Sequence, residues 1–182
     1  QYNSGNVPAK NLIVQLGGVE KLKKTKVKGQ QLVFEGDQLV REGDCQSAQA
    51  LYRTAFEEDI KNATAAMKAA QCLWSLSFST EAIEWLNKAI KSDPKLIEAY
   101  VLLADYYTKR FNFDAAARIL GSAQKNAPQS YEVYRGFALV EYRRNNPQGA
   151  ITFGKKALSL YETDVDTHNI MAQAALAMKD YR

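Results

Sequence analysis

A step of 34 residues governs this chain. Ala48, Ala82, Ala116 and Ala150 are spaced by 34 without slip, and so are Ala55, Ala89, Ala123 and Ala157. A third column of small residues, Gly36, Ala70, Ala104, Ala138 and Ala172, keeps the same step. Three columns in phase with no insertion describe one structural unit copied along the chain, a pattern that decides the fold before any local propensity does. The stretch from Ile97 to Ser130 displays the unit most clearly. Tyr100, Leu103, Ala104 and Tyr107 recur at i, i+3, i+4 and i+7, which places them on one face of a helix. After a polar turn from Arg110 to Asp114, Ala116, Ile119, Leu120 and Ala123 do the same, and Pro128 closes the unit. Neither helix can bury such a face alone. Stacked copies can, because small residues let the helices approach while rings and branched chains fill the remaining space.

The residues at these spacings resemble the tetratricopeptide repeat (TPR). Its pattern asks for large residues at positions four, seven, eleven and twenty-four, small ones at eight, twenty and twenty-seven, and proline at thirty-two. Tyr100, Leu103, Ala104, Tyr107, Ala116, Leu120, Ala123 and Pro128 satisfy it in unit 97–130. Unit 63–96 matches through Ala70, Leu73, Ala82, Leu86, Ala89 and Pro94, with Ala66 and Ala69 where larger residues are usual. Unit 29–62 keeps Leu32, Gly36, Leu39, Ala48, Tyr52 and Ala55 but carries Glu35 in an apolar column and Ile60 for proline. Unit 131–164 keeps Tyr134, Phe137, Ala138, Ala150 and Ala157 and departs at Glu141, Gly154 and Glu162. A half unit, 165–182, follows with His168, Met171, Ala172 and Ala175. The resemblance implies an all-α fold, a right-handed α-solenoid of antiparallel helix pairs, over residues 29–182.

Residues 1–28 stand apart as a basic segment, a linker or a cap on the first unit. Six lysines against Glu20 give it a net charge of +5, which leaves the repeats near neutrality in a chain of net charge +4. Its start, residues 1–9, has the polar, Gly- and Pro-containing composition of a flexible lead-in. Leu12, Ile13, Val14 and Leu16 form a short apolar cluster suited to folding back over the first repeat or to docking elsewhere. No apolar run approaches the length of a membrane span. Cys45 and Cys72 hold unrelated places in the repeat, one in a turn and one in a helix, and free thiols are expected. The chain begins at Gln1 and ends at Arg182 where a second helix would start, so both ends read as cut and further repeats are expected beyond. The compartment is left open between the cytoplasm and, if Gln1 reflects processing, an exported location. Asn146-Pro147 reads as a helix cap with proline at the first helical position, and Ser79 and Asp114 are expected to cap their helices similarly.

In the TPR family the first helices of successive units line a concave groove. Carried over by position, the resemblance assigns Val33, Asp37 and Arg41 from the first unit and Met67, Gln71 and Trp74 from the second. It adds Glu98, Val101, Asp105 and Lys109 from the third, then Arg135 and Tyr142 from the fourth. Val33, Val40, Met67, Trp74, Val101 and Tyr142 would form an apolar floor. Acids (Glu98, Glu132, Asp166) gather at helix starts and bases (Arg41, Lys109, Arg143) at helix ends. That polarity complements each helix dipole, and it would also give a bound peptide a direction. Trp74, Tyr142 and Arg135 are the side-chain types that anchor interfaces. The family's grip on a chaperone tail, a cluster of lysine, asparagine and arginine on a carboxylate, is not reproduced. Val33, Asp37, Lys68, Glu98 and Leu102 occupy those positions, and Asp37 and Glu98 would repel the ligand.

Catalytic and metal chemistry find no constellation. His168 is the only histidine and falls in the family's aromatic position, where a packing role is expected. Gly17-Gly18 lacks the ending of a phosphate loop. No cofactor, metal or catalytic residue is therefore assigned. Nucleic acid is disfavoured as a partner, because the repeats carry no basic stripe and the groove holds several acids. The function implied is a non-catalytic scaffold that receives an extended peptide or a helix of another protein. The alternatives are self-assembly into a homo-oligomer through the open ends or the amino-terminal segment and, behind it, an RNA-binding helical repeat. The alanine columns carry a direct consequence: Ala116→Leu should overpack a helix crossing and lower stability by about 1–3 kcal/mol in denaturant melts.

Overall fold

The computed structural model describes residues 27–179, so the expectations for the lead-in, the apolar cluster and the extreme carboxyl end lie outside the described residues. Among them are nine helices and no strand. The first helix of each unit is α1 (residues 27–41), α3 (Ala63–Ser75), α5 (Ile97–Lys109), α7 (Tyr131–Arg143) and α9 (Val165–Lys179). The second is α2 (Cys45–Glu58), α4 (Ser79–Ser92), α6 (Phe113–Asn126) and α8 (Pro147–Leu158). Each helix packs on the next along the chain, and α5, α7 and α9 lie side by side. The result is an α-solenoid in two layers, the odd-numbered helices forming the inner face.

The alanine columns are the seams between layers. Ala48, Ala82, Ala116 and Ala150 are each the fourth residue of their helix and each fully buried. Ala55, Ala89, Ala123 and Ala157 are also at zero exposure. Around them Leu73, Leu86, Leu103 and Leu120 fill the space, each burial contributing roughly 1.5–3 kcal/mol. Gly36 shows how tight the seam is: an added Cβ would lie 2.6 Å from the Tyr52 ring. Ala172, the fifth of its column, is exposed; in the other units the second helix covers that face.

The departures from the repeat pattern are absorbed locally. Met171 reaches from α9 into the space that Gly154 leaves, and a Cβ at Gly154 would collide with it. Glu141 accepts a hydrogen bond from Asn146 Nδ2 at 2.7 Å and so steadies the cap of α8. Glu35 lies on the surface and accepts from Gln31 at 2.9 Å. His168 is exposed rather than packed as expected. Its Nε2 meets the Glu162 carbonyl at 2.8 Å, as the Tyr134 hydroxyl donates to the Pro128 carbonyl at 3.0 Å. The two pairs occupy the same positions in successive units, so a polar tip at position four ties down the turn between units.

The turn inside each unit is compressed to three residues by a conformation that recurs at the 34-residue step. Gly43, Ser77, Phe111 and Asn145 all have left-handed backbone, with φ of 86°, 68°, 60° and 66°. The next residue then donates its N–H five residues back, as Asn112 does to the Tyr107 carbonyl at 2.9 Å and Asn146 to Glu141 at 2.8 Å. That same residue caps the following helix. Asp44, Asn112 and Asn146 accept from the backbone N–H three residues on, while Phe78 has no side chain able to do so. The expected cap at Asn146-Pro147 is present; those expected at Ser79 and Asp114 are not. The left-handed residue draws the chain into the next helix earlier than the polar run suggests, which leaves Ser79 and Asp114 inside it.

Left-handed backbone costs a residue with a Cβ about 1–2 kcal/mol. Phe111, 80% exposed, has little packing to lose. Phe111→Gly should therefore raise stability by about 0.5–1 kcal/mol and Gly43→Ala should lower it by about 1, both read from urea midpoints.

Candidate functional site

The odd-numbered helices expose a groove with two adjoining cavities. The larger, of about 490 Å³, lies over α5, α7 and α9. Val101, Leu102, Leu139 and Ile170 form its apolar floor, with Glu98, Asp105, Arg135, Arg143 and Asp166 around it. Gly136 leaves that floor open, and its missing side chain lets α7 sit against Leu120: a Cβ would be 2.7 Å from Leu120 Cδ2. The second cavity, of about 440 Å³, lies over α1, α3 and α5. Trp74 dominates it, stacked on the buried Tyr106 ring with centroids 3.9 Å apart. Gln71 and Leu102 line both cavities, so the two form one groove.

Most of the groove's charges are already engaged. Lys68 Nζ meets both oxygens of Asp37 at 2.5 and 2.6 Å, and the Tyr52 hydroxyl donates to Asp37 Oδ1 at 2.6 Å. Burial works against the Asp37 charge, but Lys68 and Tyr52 together hold its carboxyl below the ordinary carboxylate range. The same network, with burial the larger cause, pushes the Tyr52 phenol up. Burial likewise pushes the Tyr106 phenol up. Arg135 Nη1 bonds to Asp164 at 3.0 Å and Asp166 at 3.2 Å. Asp164 is buried and caps α9 through the backbone N–H and hydroxyl of Thr167. Lys109 pairs with Asp105 at 2.7 Å within α5.

Of the residues expected in the groove, Glu98, Val101, Asp105 and Arg135 line the larger cavity, Asp37, Trp74 and Lys109 the smaller, and Gln71 both. Four do not. Met67 is only 3% exposed and belongs to the core, because the small side chains of Ala66, Ala69 and Ala70 let α3 sink between its neighbours. Val33 packs against that same core, and Arg41 and Tyr142 line neither cavity. Arg135 lines the groove as a tether between α7 and α9, not as a free cation. Leu102, Leu139 and Ile170 were missed as floor residues. Leu102 and Ile170 share position six of their units, and an apolar residue recurring at that position was the available signal.

Cys45 and Cys72, which looked unrelated in sequence, both line the smaller cavity as free thiols. Burial, with Cys45 as neighbour, pushes the Cys72 thiol up to about 12, so it is protonated near neutrality. Cys45 is the first residue of α2 rather than part of a turn. Among the described residues no group of three or more His, Cys, Asp or Glu is placed to hold a metal ion. No helix among them is long and apolar enough to cross a membrane.

The tetratricopeptide repeat model matches residues 35–97 and 101–165, and the chain belongs to that family. Proteins of the family generally mediate protein–protein interaction, as scaffolds rather than catalysts. The chain is 26% identical over 149 residues to the cell division cycle protein 27 homolog of Caenorhabditis elegans. That match takes in 82% of this chain but only 19% of the longer protein. Two solved structures share the fold. A thermophilic TPR protein of Thermus thermophilus aligns at 20% identity over 82% of each chain, with a TM-score of 0.69. The pilF protein of Pseudomonas aeruginosa aligns at 19% identity over 87% of this chain and 72% of its own, with a TM-score of 0.75.

The Asp37 network makes a signed prediction. A carboxyl held low in the folded state stabilises the fold above its unfolded pKa, near 3.9, and that contribution fades as pH falls through the lower folded value. Asp37→Asn should cost about 1–2 kcal/mol at pH 7, and the gap from the wild type should narrow as pH falls below the ordinary carboxylate range in urea melts.

Proposed function

We propose that the inner groove receives a segment of another protein and that the chain works as a non-catalytic interaction scaffold. The observation that carries this reading is the half-buried apolar floor of Val101, Leu102, Leu139 and Ile170, continuous through Leu102 with the Trp74–Tyr106 stack. A half-buried tryptophan held rigid by stacking offers a large contact surface at little entropic cost. The family's general role in protein interaction supports the reading. The likeness to a cell division cycle protein takes in only 19% of that protein and adds nothing on pathway.

The test is affinity capture with mass spectrometry, comparing the wild type with Trp74→Ala/Val101→Asp. Arg135 is a poor choice for this purpose, since its loss would free Asp164 at the start of α9. The double variant should retain its helical content and melting cooperativity while losing its specific partners by about tenfold or more. Equal capture by both proteins would refute the groove as the binding surface.

A further inference from the structure

From the groove's charge pattern we infer that its occupant is an amphipathic α-helix with basic residues along one flank and acidic residues along the other. This rests on the groove reading above and adds the chemistry of the partner. α5, α7 and α9 lie side by side and run in one direction, so their starts form one rim and their ends the other. Glu98 and Asp166 stand on the first rim, lining the larger cavity from the first turns of α5 and α9; Glu132, at the same place in α7, lines neither cavity. Lys109 and Arg143 stand on the second, in the last turns of α5 and α7. Helix dipoles favour each of these charges singly. Parallel stacking then gathers them into two opposed edges with an apolar floor between.

Some of these charges have local partners. Glu132 accepts from Ser130 Oγ at 2.6 Å, Lys109 pairs with Asp105 at 2.7 Å, and Asp166 contacts Arg135 while its side chain stays 73% exposed. Glu98 and Arg143 are exposed and have no side-chain partner among the described residues. The groove therefore offers three zones in a row: anionic, apolar, cationic.

Geometry selects a helix to match them. Glu98 and Lys109 are about 16 Å apart along the α5 axis at 1.5 Å per residue. A helix with its side chains is about 10–12 Å across, which fills that width and leaves room for charged tips at both rims. A β-strand has two faces, one up and one down, and cannot address a floor and two rims together. Turning an amphipathic helix end for end exchanges its flanks. The rims therefore set the direction in which the helix lies, more than whether it binds.

The probe is a synthetic peptide of about fifteen residues, marginally helical when free, with leucines at i, i+3, i+4 and i+7. Lysines occupy one flank and glutamates the other, and a control carries glutamine on both. Binding to the 182-residue chain should move its ¹³Cα shifts to helical values and be about tenfold tighter than the control at low salt. With a dansyl group on the peptide's amino terminus and Trp85→Phe in the protein, energy transfer from Trp74 reports direction. Exchanging the flanks should reverse it, and Glu98→Lys/Arg143→Glu should weaken the preference of the original peptide for one direction. An extended bound peptide, indifference to flank charge, or no binding beyond the control would overturn the inference. In each of those cases the groove reading still stands or falls on the capture experiment. Binding that survives Trp74→Ala/Val101→Asp would remove the groove itself.

Discussion

Where two helices cross at an alanine, nothing but a methyl group holds them apart, and close approach becomes the stable arrangement. Every seam of this molecule uses that constraint: Ala48 to Ala150 at one crossing, Ala55 to Ala157 at another, each at zero exposure. A larger residue in one seam would tilt a helix and every unit beyond it. Because contacts run only between neighbours, such errors would accumulate along the solenoid. Uniform small residues keep the stacking angle uniform, and a uniform angle aligns the inner helices closely enough to share one groove.

The turns carry the second constraint. A left-handed residue followed by a capping residue closes each hairpin in three positions, with no slack to let the helices drift. Three of the four left-handed residues are not glycine, so the chain accepts local strain there. The packing of both helices overrides the preference of Phe111 and Ser77. Between units the hold is looser in sequence but equally regular in space, with Tyr134 and His168 reaching the carbonyl six residues back.

The inner face mixes two uses of charge. Asp37–Lys68 and Arg135–Asp166 each join one odd-numbered helix to the next unit, and they set the spacing of the groove wall. Among the described residues Glu98 and Arg143 make no such link and are exposed. Side-chain type does not distinguish the two uses: Arg135 and Arg143 sit eight residues apart on α7 with opposite fates. What separates them is whether an acid of the next helix lies within reach.

Helix, turn and seam were legible in the chain because each depends on residues a fixed number of places apart. A 34-residue step in Ala48, Ala82, Ala116 and Ala150 sufficed to determine the repeat and its register, and the family resemblance built on it implied the inner face. Trp74, Val101 and Glu98 could be placed in the groove from position alone. Met67 could not, since its burial follows from how deeply α3 sinks among its neighbours. Nor could the meeting of Cys45 with Cys72, the stack of Trp74 on Tyr106, or the capture of Arg135 by Asp166, which join residues from different units. Periodicity determines which way a side chain points from its own helix; only the packed solenoid decides what waits there, because that depends on the distance between helices.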